Sequence, residues 1–151
     1  MMNQRDNHIL DAARTLHEIN MIVKSNMDTT RADCADIITK LDTLNFVLRN
    51  SPDDAVKYIG APLKNVADQI QKRDLAFFKQ PAFKARIASY AEAIVNGMAG
   101  VPANLKRGVR DSVDVVFSSI FSTLDRMSAD SQARVWTLLG ILVNHVRRVT
   151  S

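Results

Sequence analysis

Apolar residues recur every three or four positions along most of this chain, a period that predicts helices from end to end. Ile9, Leu10, Ala13, Leu16, Ile19 and Val23 hold it across a first helix over 7–25. Asp6 or Asn7 is placed to cap that helix by accepting from its free backbone N–H groups. After a turn at 26–30, Ile37, Leu41, Leu44 and Leu48 fall at i, i+4, i+7 and i+11, one stripe on one face. Ser51-Pro52-Asp53-Asp54 is the sharpest start signal. It offers a capping hydroxyl, a proline with helical φ, and two carboxylates at the positive end of the helix dipole. Gly60 and Pro62 are expected to stop that helix. Pro62 then opens another, which carries Leu63, Val66, Ile70 and Leu75 as far as Phe78. Pro81 interrupts it near Gln80, and Phe83, Ile87, Tyr90, Ala91 and Ile94 line a further helix over 82–96.

Two glycines and a proline in 97–102 make the one convincing joint of the chain. Beyond it the pattern reads as a helical hairpin, with arms over 104–127 and 130–149 and a cap at Ser128 or Asp130. Val113-Asp114-Val115-Val116-Phe117 is β-branched enough for a short strand. However, Val109, Val113, Val116, Ile120, Leu124 and Met127 keep helical spacing, and no second strand-like segment offers a partner. No fixed-period repeat is present. The expected fold is all-α: a single-domain bundle of six or seven helices over 1–151, ending in a strongly apolar hairpin. Its sub-parts are the N-terminal helices over 1–96 and the hairpin over 104–151, with the joint at 97–103.

That hairpin carries more apolar surface than one face can hide. Thr137, Gly140, Asn144 and Arg147 or Arg148 draw a narrow polar stripe on its last helix, and apolar residues cover the rest. A helix of this kind is buried on more than one side, by its own chain or by a partner. Phe117, Phe121, Trp136, Leu139, Gly140 and Val143 are the candidate interface. Trp136 is its anchor, since tryptophan is enriched where binding energy concentrates. Gly140 would admit a close helix backbone.

Composition narrows the function classes. The 151 residues are 46% apolar and 24% charged, as in ordinary globular domains. One cysteine, Cys34, excludes an internal disulfide framework and any multi-cysteine zinc site, and it fits a reducing interior. No run of apolar residues is long enough for a membrane span, and the N-terminal residues lack a signal-like apolar core; a cytoplasmic location is expected. Net charge is +4, rising along the chain from −1 over 1–50 to +2 over 51–100 and +3 over 101–151. This is a gradient without the like-charge blocks of a nucleic-acid arm.

No catalytic signature is present: no GxSxG, Walker A, HExxH, EF-hand loop or dinucleotide fingerprint. His8 and His17, nine residues apart, point to opposite sides of one helix, so spacing alone assigns them no metal. No catalytic residue, metal ligand or cofactor is therefore assigned. The best polar constellation is 72–86, where Lys72, Arg73, Lys79, Lys84 and Arg86 interleave with Phe77, Phe78 and Phe83 around Pro81. Cations can neutralise phosphates and exposed rings can stack on unpaired bases, which makes it a candidate nucleic-acid site. The competing reading is a solvated face over core phenylalanines. The expected function is a non-enzymatic structural or adaptor protein that binds itself or a larger protein assembly, such as a virion. The alternative is a nucleic-acid-binding module using 72–86.

Overall fold

A computed structural model describes residues 3–28, 30–97, 100 and 102–150, apart from the side chains at 58, 61, 94, 116 and 150. All the regular structure among these residues is helical. Helix α1 spans Gln4–Ser25, and its cap is Asn3, one turn before the expected Asp6 or Asn7; the Asn3 carboxamide oxygen accepts from the Asp6 N–H at 2.8 Å. Helix α2 spans Ala32–Asn50 and buries Leu41, Leu44 and Leu48 of the expected stripe.

From Pro52 the chain breaks into shorter pieces than its periodicity predicts. Helix α3 (Pro52–Ala55) starts at the proline as expected, although the Ser51 side chain makes no capping bond. Gly60 does not stop the chain. Val56–Gly60 widens into one π turn and passes into α4 (Ala61–Asn65). Helix α5 (Ala67–Gln71) follows, and Arg73, in the left-handed region at φ 54°, separates it from α6 (Leu75–Phe78). Helix α7 (Pro81–Asn96) opens at its proline, where the missing N–H costs nothing. Of the joint, Met98, Ala99 and Val101 lie outside the described residues. Helix α8 (Ala103–Thr123) tightens into a 3-10 turn at Leu124–Arg126. Helix α9 (Ala129–Thr150) follows, with Ser128 Oγ accepting from the Ser131 N–H at 3.2 Å. The described residues thus form nine α-helices where six or seven were expected, the surplus coming from the division of 52–78.

The two arms expected to form a hairpin take different principal neighbours. Helix α9 runs antiparallel along α1, while α8 lies on α7 and α2. Arg134 of α9 reaches Glu18 of α1 at 3.7 Å, and Arg110 of α8 reaches Glu92 of α7 at 2.8 Å. Segments α4, α5 and the π turn close over α9. Helix α9 is therefore central, with Val135, Leu139, Leu142 and Val146 fully sequestered. The π turn is where the chain fits closest: a Cβ on Gly60 would stand 2.7 Å from Val146 Cγ2. One polar pair interrupts the apolar α1–α2 contact, Asn20 Nδ2 donating to Asn45 Oδ1 at 3.3 Å, both residues buried.

Candidate functional site

The structure joins the two candidate sites of the sequence into one aromatic core. Phe78 stacks on Phe121 with centroids 4.0 Å apart and planes 1° from parallel. Phe83 meets Phe78 edge-on at 4.9 Å and Phe117 at 5.7 Å, and Trp136 lies 5.9 Å from Phe78. Edge-to-face and offset rings at these distances add attraction beyond their buried area. Phe117, Phe121, Trp136, Leu139 and Val143 are all buried by their own chain, Trp136 at 7% exposure. The tryptophan is an anchor between helices of one chain. Gly140 is half-buried, and no described atom lies within 4 Å of the place a Cβ would take, so its missing side chain accommodates no neighbour here.

The cations of 72–86 remain outside. Lys72, Arg73, Lys79, Lys84 and Arg86 are exposed, while Phe78 and Phe83 beneath them are buried and Phe77 half-buried. Lys79 donates to the Asp125 carboxylate, a bond that holds that carboxyl below the usual aspartate range. The Arg86 guanidinium lies over the Phe77 ring at 5.9 Å, within cation–π range. Lys79 and Lys84 rim an open groove of about 610 Å³, floored by Phe83, Phe117 and Phe121.

A second surface lies on α1 and α2. These helices run antiparallel, since Asn20 meets Asn45 and Lys24 meets Asp42 at 2.7 Å. In an antiparallel pair, the residues following two facing positions turn about 100° to the same side. Met21 and Phe46 follow Asn20 and Asn45, and they are 44% and 66% exposed. The same side holds a shallow groove of about 420 Å³ with Leu10, Ala13, Leu48 and Arg49 among its walls. Phe46 is not among the candidate residues of the sequence, although its signal is present there. It lies two residues from both Leu44 and Leu48, and so opposite the buried stripe.

A third group comes from the ends of the described chain. Antiparallel packing of α1 and α9 brings His145 beside His8, with ring centroids 5.9 Å apart, and beside Asp11, one turn further along α1. One ligand-capable atom of each of the three lies within 4.8 Å of the others. The Nδ1 atoms of His8 and His145 are both buried without a hydrogen-bond partner. Burial pulls the His145 imidazole below its ordinary pKa, with His8 and Arg148 adding to the shift and the Asp11 charge opposing it. Spacing kept His8 and His17 apart, as the helix does; the partner His8 finds is on another helix, and no local signal in the sequence marks it.

Among the described residues, no helix is long and apolar enough to cross a membrane. Comparison with protein-family models, curated proteins and solved structures finds no match.

Proposed function

We propose that the protein is a non-enzymatic helical structural subunit that assembles with a second copy of itself through the α1–α2 face centred on Phe46. The exposure of Phe46 carries this reading. Single exposed apolar residues are ordinary, but a phenylalanine two-thirds in water, on the same side of the helix pair as an exposed methionine and a groove walled in part by Leu10, Ala13 and Leu48, is an unpartnered patch. The face is also self-complementary. In a two-fold contact each residue i meets j while j meets i. With the axis at Phe46, Asp42 lies one turn to one side and Arg49 about one turn to the other, so each copy's Arg49 approaches the other's Asp42, which it would share with Lys24. Light scattering on a sizing column tests it. The wild-type chain at tens of micromolar runs as a dimer or larger, and Phe46→Asp runs as a monomer with an unchanged helical spectrum. A monomeric wild-type chain overturns the proposal.

The nucleic-acid reading retains one supporting observation: Lys72, Arg73 and Lys84 are exposed and make no ion pair among the described residues. Its stacking platform is narrower than the sequence suggests, because Phe78 and Phe83 are buried among other rings and Phe77 alone is half-buried. Binding by this face would rest chiefly on phosphate contacts and would fall steeply with salt. The same column, run at low salt with single-stranded and duplex nucleic acid, tests it.

A further inference from the structure

We infer that His8, Asp11 and His145 form a binding site for a divalent transition-metal ion, zinc being the best-matched occupant. Two imidazoles and one carboxylate make a donor set suited to such ions, and three protein ligands with one open position is a familiar zinc arrangement. His8 and Asp11 stand three residues apart and so share a face of α1, while His145 arrives from the antiparallel α9. Tetrahedral zinc with bonds of ~2.0–2.1 Å sets neighbouring ligand atoms roughly 3.3 Å apart. The three ligand atoms already lie within 4.8 Å of one another, so the closure needed to reach that spacing is about 1.5 Å at most.

The second observation is independent of spacing. The Nδ1 atoms of both His8 and His145 are shielded from solvent and lack any hydrogen-bond partner. A buried polar atom left unpaired is costly, so its presence calls for an explanation, and an ion is one of the few available. Two such atoms on adjoining imidazoles, beside a carboxylate, point to a shared cation.

The surroundings set the character of the site. His8 also borders an open cleft of about 580 Å³ lined by Gln4, Arg5 and Arg148. A fourth ligand, water or a small anion, enters from that side. Arg5 and Arg148 oppose a dication and Arg14 pairs with Asp11 at 3.7 Å, so affinity in the micromolar range is expected, well short of a closed structural zinc site. The bound ion would join α1 to α9, the longest helices of the fold.

The test uses the untagged full chain, stripped with chelator and titrated calorimetrically with zinc chloride. Cobalt(II) is titrated in parallel and followed by its visible absorption. One ion per chain is expected, with a rise in Tm on adding zinc and a four- or five-coordinate cobalt spectrum. Asp11→Asn and His8→Gln should each weaken binding by more than about 10-fold, the lower end of what loss of a mere outer-shell partner costs. His17→Ala should bind as wild type. Because the Asp11 side chain is half exposed, Asp11→Asn retains the fold, and its helical spectrum verifies this. Absence of binding at ~100 µM zinc overturns the proposal, where site affinities in the micromolar range would saturate. So does binding that survives both variants.

Discussion

Replacing Gly60 with alanine tests the closest fit in the molecule. Gly60 has φ −81° and ψ −30°, which alanine adopts freely. Backbone entropy alone would therefore make Gly60→Ala stabilising by about 0.4–1 kcal/mol. Against this, the new methyl would meet Val146 Cγ2 at 2.7 Å, with Cγ1 at 3.8 Å and Cβ at 3.9 Å. Val146 cannot swing aside: its side chain is β-branched with a stiff χ1, and it is wholly buried near the C-terminal end of α9. Overpacking of this kind costs roughly 1–3 kcal/mol, so the clash wins and the net loss is about 1–2 kcal/mol. For a chain of this size that lowers Tm by roughly 2–8 °C. The sign should reverse in a second background. Val146→Ala opens a cavity beside Gly60, and adding Gly60→Ala there refills part of it, so the second change then stabilises. Urea denaturation of the four proteins of this cycle, followed by circular dichroism, measures the coupling. A neutral or stabilising Gly60→Ala in the wild-type background refutes the packing argument, as does an equal loss in both backgrounds.

Phe78→Ala should cost about 3–5 kcal/mol, because Phe78 stands among Phe83, Phe121 and Trp136 at the centre of the aromatic core. Thermal unfolding checks this, and a loss below 1 kcal/mol would return the ring to the surface. The Lys79–Asp125 bond predicts a pH signature. Asp125 is held below its ordinary pKa chiefly by that hydrogen bond, so the folded state favours its charged form. Its contribution to stability is full above the unfolded value of about 3.9 and is lost as pH falls through the lowered folded one. The stability gap between wild type and Asp125→Asn should therefore be constant near neutrality and close in acid; a gap that persists in acid would assign the loss to something other than charge.

Amphipathic period is a local property, and what it determines was legible in the sequence. The α2 stripe of Leu41, Leu44 and Leu48, the start of α7 at Pro81 and the buried stripe of Val135, Leu139, Leu142 and Val146 on α9 follow from spacing and from proline chemistry, whereas Ile141 of the same helix is 41% exposed. The division of 52–78 was not legible. Its π turn brings Gly60 against Val146, residues far apart in sequence, and the break before α6 rests on a left-handed arginine. Side-chain direction across helices was equally hidden. Phe117, Phe121 and Trp136 are apolar under either reading, and only the packing of α6 and α7 over α8 shows that Phe78 and Phe83 cover them. The His8–Asp11–His145 group needed the pairing of α1 with α9, which no periodicity encodes.

That pairing also orders events during synthesis. Helix α1 leaves the ribosome about a hundred residues ahead of α9, an interval of about 5–20 s at ordinary elongation rates. Ile9, Leu16, Ile19 and Val23 are made long before all of the surface that buries them exists. Helix α2 can shelter part of the stripe in the meantime, held in register by Asn20 and Asn45. The remainder faces water until the final helix arrives. The nascent protein therefore passes through a stage as a half-built bundle with an open apolar seam. A ribosome stalled before residue 129 displays that seam for as long as it waits, which makes the timing of the last helix a determinant of yield.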